Sequence, residues 1–423
     1  MVKMFAALLL TVAAPAAAET VAITAAHMID VITGRRVDNP VVIATDGRIT
    51  AVGRQGTVAI PAGARRIDLA GKTILPGFID MHVHLSSSPF YGPYDTLQFT
   101  DQFETVLGVG NARDMLRAGF TTVRNLGSSD YADVAYKQAI QEGRMVGPRI
   151  VPAAYSLGAT GGHCDSNFLP PSMAQKDPGV ADGPQALRAL VRQQRKFGAE
   201  VIKVCATGGV FSRNTEPGQQ QLSEEELRAI AQEAHQWGLK VAAHAHGAAG
   251  IKAAIRAGID TIEHASLVDD EGIRLAVARP QPVWFSMDIF NTDYTQSEGK
   301  KNGILEDNLR KDREISLIQR QNFQKAHRAG VRMVFGSDAG VMPHGTAAGQ
   351  FATMVKWGMT PMEAIQAGTR NAAQALGREK DVGAIAVGRF ADIVAVDGDP
   401  LADVAELAGV DVVIKGGVVV GKD

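Results

Sequence analysis

Four histidines and one aspartate of this 423-residue chain stand in short apolar runs of the kind that form buried strands. His82 and His84 lie two apart in "DMHVHL", so on a strand their side chains leave the same face. His244 lies in "KVAAHAH", His264 in "DTIEHA" and Asp338 in "MVFGSDAG". Neutral imidazoles and a carboxylate are ligands for divalent transition metals such as Zn²⁺. If these runs are neighbouring strands, the sequence predicts a metal centre where they end.

A lysine interrupts another such run. Lys203 stands in "AEVIKVCATGGVF" between residues expected to be buried on both faces of a strand. An unpaired ammonium is costly to bury, and it would repel divalent cations. A lysine amine that has added CO₂ is an anion whose two oxygens could each ligate a metal. Two metals would then lower the pKa of a shared water near neutral pH. A lysine paired with a carboxylate is the alternative.

The elements that must position these residues follow a repeated pattern. A helical stretch ends in a small residue and Gly, which terminates helices well, and a β-rich run follows. The eight runs are "GFIDMHVHL", "RAGFTTVRN", "RMVGPRIVPAA", "KFGAEVIKVCA", "QWGLKVAAHAH", "RAGIDTIEHA", "PVWFSMDIF" and "RAGVRMVFGSD". Eight alternating units predict an α/β fold, a (β/α)₈ TIM barrel with its active site at the carboxyl ends of the strands. The rival, a doubly wound open sheet, would carry a Gly-rich phosphate-binding turn after an early strand, and the sequence has none.

The two ends of the chain differ from its middle. Residues 19–75 and 382–423 alternate apolar and polar residues between turn signals such as "DG", a pattern typical of antiparallel strands and hairpins. We expect both ends to form a small β-sandwich domain beside a catalytic barrel at residues 76–381.

The first residues are typical of a secretory signal peptide. Residues 1–18, "MVKMFAALLLTVAAPAAA", combine a basic start at Lys3, a short apolar segment and small residues at Ala16 and Ala18. An uncleaved anchor is the alternative. We expect an exported protein, periplasmic or secreted, with no membrane contact after cleavage.

The net charge and the cysteine content of the chain limit its expected partners and disulfides. The formal net charge is −2, which argues against binding nucleic acid or a membrane surface through a basic patch. Two cysteines, Cys164 and Cys205, permit at most one disulfide, and free thiols lining a site are the alternative. We expect a small peptide substrate as partner, and whether the protein forms a homo-oligomer is left open.

The combined motif resembles the amidohydrolase superfamily. The resemblance rests on HxH in the first strand, Lys in the fourth, His in the fifth and sixth and Asp in the eighth. The flanking stretches "TILPGFIDMHVH", "VGRFADIVAVDGDP" and "IKGGVVV" extend it over nearly the whole mature chain. It implies a barrel with a β-sandwich and a pair of divalent metals, usually Zn²⁺.

The resemblance also implies a role for each motif residue. His82, His84 and Asp338 would hold the more buried metal. His244 and His264 would hold the second, and Lys203, carboxylated on its side-chain nitrogen, would bridge the two. Asp338 would also take a proton from the attacking water and pass it to the leaving amine, which suits a carboxylate beside a nucleophile.

Two loops resemble one branch of that superfamily. "GATGGHCDSNFLPPS" and "FSMDIFNTDYTQ" are similar to the branch of prolidases and zinc carboxypeptidases, and most similar to members that remove C-terminal Arg or Lys. His163 is similar to a residue that polarises the scissile carbonyl. His246 stands where the branch often has Tyr, in the region expected to contact substrate. Lys203 separates the chain from the deaminases, which lack the bridging lysine.

The residues themselves suggest further substrate contacts. A cationic substrate tail needs a carboxylate that can pair with guanidinium. Asp288 is the first candidate, with Asp165 and Glu216 behind it, and Arg213 could receive the C-terminal carboxylate of the peptide. The role of His344, in "AGVMPHG", is left open.

The expected function is therefore metal-dependent hydrolysis of the amide bond before a C-terminal residue of dipeptides or short peptides, with Arg or Lys preferred there. A prolidase, or a hydrolase of N-acyl amino acids including ochratoxin-type conjugates, is the enzymatic alternative. A periplasmic metal- or peptide-binding protein is the non-enzymatic one. It would require the loss of a ligand, and all six motif positions are present.

Overall fold

The computed structural model describes residues 19–173 and 177–421. The predicted signal peptide at residues 1–18 lies outside the described residues. The strands within those ranges are β1 Thr20–Asp30, β2 Arg35–Asp38, β3 Pro40–Thr45, β4 Arg48–Arg54, β5 Arg65–Pro76, β6 Phe78–Val83, β7 Phe120–Asn125, β8 Arg149–Pro152, β9 Val201–Cys205, β10 Lys240–Gly247, β11 Thr261–Leu267, β12 Trp284–Ser286, β13 Arg332–Val334, β14 Ile393–Val396, β15 Val412–Lys415 and β16 Val418–Val419.

Helices follow the strands of the central part of the chain in regular alternation. They are α1 Phe103–Arg117, α2 Ala132–Gln141, α3 Pro184–Lys196, α4 Glu224–Gln236, α5 Ala248–Ala257, α6 Asp270–Ala278, α7 Asn291–Glu298, α8 Glu306–Arg328, α9 Gly349–Lys356, α10 Pro361–Gln366 and α11 Ala372–Leu376. Within the described ranges, no helix is both long enough and apolar enough to cross a membrane.

Eight parallel strands, β6 to β13, form a closed barrel. β6, β7 and β8 pair in one group, and β9 to β13 pair in chain order in another. Backbone hydrogen bonds join the groups at both seams. The amide of Leu157 donates to Lys203 O at 2.8 Å, and the amide of Met81 donates to Phe335 O at 3.0 Å. The predicted (β/α)₈ barrel is confirmed.

The Gly that precedes many barrel strands explains why each helix stops where it does. These glycines have left-handed backbones, which a residue without Cβ adopts at little cost. They are Gly119, Gly198, Gly238, Gly258 and Gly330, with φ of 96°, 111°, 72°, 101° and 86°. The helix ends are therefore encoded locally, and the β-branched run after each Gly enters the barrel wall.

Strands from both chain ends form a second, mostly antiparallel sheet. Its order is β16-β15-β14-β5-β1-β3-β4, with β2 paired to β1, and only β1 and β5 run parallel. Its apolar core includes Ile23, Val42, Ile74, Ile393 and Ile414, whose exposed fractions are all zero. The sequence pattern correctly predicts that both termini contribute to one β domain.

A partly buried ion pair connects the barrel to this sheet. Arg149, at the start of β8, binds the buried Asp392 through two hydrogen bonds of 2.7 and 3.0 Å. Its guanidinium also lies 3.6 Å from the centre of the Phe390 ring. The amide of Gly416 donates to the same carboxylate at 2.7 Å, and the loss of Arg149 would remove the ion-pair partner of this buried anion.

We therefore expect Arg149→Ala to lower the free energy of unfolding by about 2 kcal/mol, the scale of hydrogen bonds to a charged group. The measurement is the urea midpoint followed by circular dichroism. Arg113→Ala removes an exposed guanidinium whose hydrogen bonds and ion pair, within the described residues, go to Asp114, and it should change stability by less than about 0.5 kcal/mol. Equal midpoints for the two variants would contradict this account.

Candidate active site

The carboxyl ends of the barrel strands open into a cavity of about 420 Å³. The metal-ligating residue types that the sequence singles out all line it. They are His82, His84, Lys203, His244, His264 and Asp338, contributed by β6, β9, β10, β11 and the segments directly after β6 and β13. The structure thus brings together residues that lie up to 256 positions apart, from His82 to Asp338.

One group of donors surrounds the Asp338 carboxylate. Nε2 of His82 and Nε2 of His84 each lie 3.4 Å from Oδ1 of Asp338. Nε2 of His82 also lies 3.2 Å from Nζ of Lys203. Ligand atoms of His82, His264 and Asp338 fall within 4.8 Å of one another, close enough to bind a single ion.

A second group of donors consists of three histidines. Ligand atoms of His244, His246 and His264 also lie within 4.8 Å of one another, so His264 belongs to both groups. The rings of His246 and His264 stack with centres 4.5 Å apart. The sequence predicts a substrate contact for His246, whereas the structure places its ring among the candidate ligands, with Nδ1 2.8 Å from Ser266 Oγ.

Lys203 is buried in the barrel wall. Its exposed fraction is 3%, and within the described ranges no carboxylate oxygen lies within 4.0 Å of Nζ. The alternative of a lysine paired with an acid therefore does not hold. Burial lowers the pKa of Lys203 to about 8, so part of the amine population is neutral near neutral pH.

Burial also sets the protonation of the other groups. It lowers the pKa of His84 to about 3, and it lowers the pKa values of His82 and His244 well below the usual range. These imidazoles are neutral at pH 7 and keep lone pairs for a metal. Burial raises the pKa of Asp338 to about 7, with the nearby Asp288 charge adding to the effect. A cation bound beside Asp338 would lower that pKa again.

These residues fit a divalent metal centre. Imidazole nitrogens and a carboxylate oxygen converge in two overlapping groups, at a depth where an unpaired carboxylate such as that of Asp338 is costly. Nitrogen and oxygen donors of this kind suit Zn²⁺ and similar first-row ions.

The backbone at two of these positions is strained. His264 and Asp338 have φ of 68° and 57°, and Ala265 after His264 has φ of 48°. A left-handed backbone costs a residue with a side chain roughly 1–2 kcal/mol, and such residues cluster at functional sites. This strain aims the two side chains into the cavity, and no pattern in the sequence signals it.

The loop after β8 brings His163 over the histidine cluster. The His163 ring stacks on the His244 ring with centres 4.0 Å apart, and its Nδ1 lies 2.8 Å from Ser212 Oγ. Gly209 permits this position, because a Cβ there would lie 2.4 Å from the His163 ring. Burial lowers the pKa of His163 to about 3, so its ring is neutral.

A disulfide ties this loop to the strand that carries Lys203. Cys164 follows His163, Cys205 ends β9, and their sulfurs are bonded with Cα atoms 5.9 Å apart. The alternative of two free thiols therefore does not hold. Both residues line the cavity, so the link holds the His163 loop against the metal-ligating strands.

Asp288, the first candidate for binding a cationic substrate tail, is already hydrogen-bonded to other residues of the protein. Asp288 lines the cavity, but its carboxylate accepts hydrogen bonds from His264 Nδ1 at 2.8 Å and from Asn291 and Gln319. It therefore orients His264 and is not a free partner for a cationic tail. The second ring nitrogen of His264, Nε2, remains for a metal.

Two other candidates lie outside the cavity. Arg213 donates to the hydroxyl of Tyr94 at 3.1 Å and lines a neighbouring cleft, and Glu216 in that cleft is paired with Arg310 at 2.8 Å. Asp165 does line the cavity, with the amides of Gly161 and Ser166 as donors. The loops carrying these residues have no regular periodicity, so sequence alone could not orient them.

The structure also adds residues that motif reading missed. Nε2 of His344 donates to the backbone oxygen of His84 at 3.1 Å, which gives this histidine a positioning role. Glu104, at the start of α1, lines the cavity far from any motif. Arg124 and Glu263 form a buried ion pair of 2.7 Å inside the barrel. An ionisable residue within an otherwise apolar run, like that around Lys203, is the sequence signal that could have indicated this pair.

Comparison with known proteins settles the family. The sequence matches the amidohydrolase family over residues 73–420. The chain belongs to the amidohydrolase family. This amidohydrolase is 33% identical over 352 residues to ochratoxinase of Aspergillus niger, an alignment that covers 78% of this chain and 71% of the relative.

Solved structures of the same family are similar over most of the amidohydrolase chain. A Xaa-Pro dipeptidase with methionine bound in its active site has a TM-score of 0.89 and 33% identity, covering 95% of this chain and 100% of that one. The crystal structure of A. niger ochratoxinase has a TM-score of 0.83 and 30% identity, covering 95% of each chain. The family and these neighbours support hydrolysis of a peptide or amide bond.

The disulfide makes this amidohydrolase sensitive to reduction. We expect replacement of both cysteines, Cys164→Ser with Cys205→Ser, to lower the free energy of unfolding by about 3–4 kcal/mol, because 41 positions separate the linked residues. Chemical denaturation of the wild type and the double variant, each with and without a thiol reductant, measures it. The reductant should shift only the wild type, and an unchanged wild-type midpoint would contradict the prediction.

Proposed function

We propose that this amidohydrolase is an exported, binuclear metal-dependent peptidase that cleaves the amide bond before a C-terminal residue of dipeptides or short peptides, with Arg or Lys preferred at that residue. The observation that carries the proposal is the set of side chains that line the cavity. Its wall combines the convergent histidines, Lys203 and Asp338 with further carboxylates, and it contains no arginine among the described residues.

The metal ligands proposed are those of the motif. His82, His84 and Asp338 would hold one ion, His244 and His264 the other, and carboxylated Lys203 would bridge them, with Zn²⁺ as the expected metal. His246 lies close enough to contribute to the second site. Such a pair of ions supplies Lewis-acid polarisation of the scissile carbonyl and lowers the pKa of an attacking water.

The remaining steps belong to residues of the chain. Asp338, placed between His82 and His84, would accept the proton of the attacking water and deliver it to the leaving amine. His163 Nδ1 lies 2.8 Å from Ser212 Oγ; in the tautomer in which Nδ1 accepts the hydroxyl proton, Nε2 would donate a hydrogen bond to the scissile carbonyl oxygen. The disulfide at Cys164 would hold that donor in place.

A free carboxylate supports the preference for a cationic residue. Glu104 lies on the cavity wall, and within the described residues its side chain has no hydrogen-bond or ion-pair partner. The other carboxylates on the wall that are not candidate metal ligands all accept hydrogen bonds from protein groups; they are Asp165, Asp177, Asp288 and Asp312. Burial raises the pKa of Glu104, and pairing with a guanidinium or ammonium would reverse that effect.

Export is supported by two independent features. The sequence of residues 1–18 is typical of a signal peptide, and the Cys164–Cys205 disulfide is of the kind that persists in oxidising compartments.

Two alternatives rest on the family relatives. One is cleavage of Xaa-Pro dipeptides, the activity named for the Xaa-Pro dipeptidase, and the other is hydrolysis of N-acyl amino acids, including the ochratoxin-type conjugates suggested by the name of the A. niger enzyme. A non-enzymatic binding protein is the third. Measuring kcat/KM on Xaa-Arg, Xaa-Lys, Xaa-Pro and N-acyl-phenylalanine substrates separates them, and faster Xaa-Pro cleavage would overturn the proposed preference.

Asp338→Asn tests the proton transfer. The amide keeps the size of the side chain and an oxygen for the metal, but it cannot accept a proton, so kcat should fall by at least about 100-fold. Metal content, measured by mass spectrometry of the purified protein, should stay near that of the wild type. Wild-type turnover in this variant would refute the role of Asp338 as the general base.

Glu104→Gln tests the cationic subsite. The variant should lose about 10- to 100-fold in kcat/KM on Xaa-Arg, the scale of one charge-assisted hydrogen bond, and little on Xaa-Met. Glu142→Gln is the matched control, since it removes one negative charge from an exposed position at the end of α2. Equal losses on Xaa-Arg and Xaa-Met would show that Glu104 does not select the cation.

A further inference from the structure

A buried carboxylate lies on the inner face of the barrel, below the candidate metal centre. Glu263 is two residues after Thr261 in β11, so both side chains leave the same face of the strand. The exposed fraction of Glu263 is 0%, and the residue does not line the cavity. Burial of a carboxylate at this depth requires both a compensating charge and hydrogen bonds.

Arg124 from β7 satisfies one side of this carboxylate. Its Nη2 lies 2.7 Å from Oε1 of Glu263, and the guanidinium also donates to Met81 O at 2.6 Å and Thr261 Oγ1 at 2.9 Å. The exposed fraction of Arg124 is 1%. One oxygen of Glu263 is therefore fully engaged, and its charge is compensated.

The second oxygen of Glu263 faces the first metal-ligand candidate. Oε2 lies 3.4 Å from Nδ1 of His82, and neither atom has a hydrogen-bond partner within the described residues. Both atoms are fully buried, where an unsatisfied polar group costs roughly 1–3 kcal/mol. The opposite nitrogen of the ring, Nε2, points to Asp338 Oδ1 and Lys203 Nζ.

We infer that Glu263 is a positioning residue for the metal centre. Its carboxylate accepts a hydrogen bond from the Nδ1–H group of His82, which fixes the ring as the tautomer with a lone pair on Nε2. A carboxylate behind a histidine ligand holds the ring in orientation and raises its basicity, which strengthens metal binding. Arg124 compensates the buried charge, so the three residues act as one unit. This inference rests on the proposed metal centre.

Glu263→Gln is the variant that isolates the effect. Glutamine keeps the volume and can still contact Arg124, but it carries no charge, and its amide can donate to Nδ1 and favour the wrong tautomer. We expect Kd for Zn²⁺, measured by competition with a chelator of known affinity, to increase about 10- to 100-fold.

Glu233→Gln is the matched control. Glu233 in α4 is also buried, with an exposed fraction of 2%, and it is paired with Arg192 at 2.7 Å, away from the cavity. This variant removes a buried charge of the same kind and should keep the Kd of the wild type. Equal Kd values for Glu263→Gln and the wild type, or an equal rise in both variants, would overturn the inference.

A measurement on the unmodified protein covers the case in which Glu263→Gln does not fold. Nitrogen-15 NMR of the histidine rings in the zinc-loaded wild type should show the His82 proton on Nδ1, slow to exchange with solvent. Fast exchange of the Nδ1 proton would overturn the inference while leaving the proposed function intact. A wild type that binds no Zn²⁺ at all would instead overturn the proposed function, and the inference with it.

Discussion

The structure depends on one electrostatic constraint: an amine and several imidazoles share a cavity mouth with a carboxylate in a region of low dielectric. Nζ of Lys203 lies 3.2 Å from His82 and has no acid within 4.0 Å among the described residues. Burial opposes the charged form of each of these groups. A pair of cations held by neutral imidazoles and by a lysine converted to an anion would resolve this conflict, and for this reason we place the chemistry of the protein here.

The fold maintains this arrangement against its cost. Closure of the barrel through the seam between Leu157 and β9 puts ligands from distant strands on one rim. His264 and Asp338 have left-handed backbones, which persist in a protein only where the surrounding structure holds them. The Cys164–Cys205 bond and the His344 contact then restrain the loops next to the ligands.

Family membership and substrate preference have different bases. The match over residues 73–420 and the likeness to a Xaa-Pro dipeptidase support hydrolysis of an amide or peptide bond. Preference for a cationic C-terminal residue is our proposal, and it relies on the wall of this particular cavity, where the Glu104 side chain has no hydrogen-bond or ion-pair partner in the described part of the chain. The metal-ligating side of the cavity would carry out the reaction, and the loops would choose the substrate, as is usual in barrels of this type.

The sequence alone determined the elements and the identity of the ligand candidates. Gly at the helix ends and β-branched runs after it are local signals, so the eight barrel strands could be predicted from neighbours along the chain. Each ligand candidate stands at the end of such a run, so its position on the rim followed from the topology of the barrel. A lysine within an otherwise apolar strand was conspicuous for the same reason.

Only the tertiary structure decided which side chains are partners. The Asp288 carboxylate is hydrogen-bonded to His264, and Arg213 lies in another cleft. His246 lies among the candidate ligands, and the two cysteines form a disulfide. The buried pair of Arg124 and Glu263 spans 139 positions of sequence. Hydrogen bonds and ion pairs depend on distances of a few tenths of an ångström between atoms of remote segments, and periodicity along the chain carries no information about those distances.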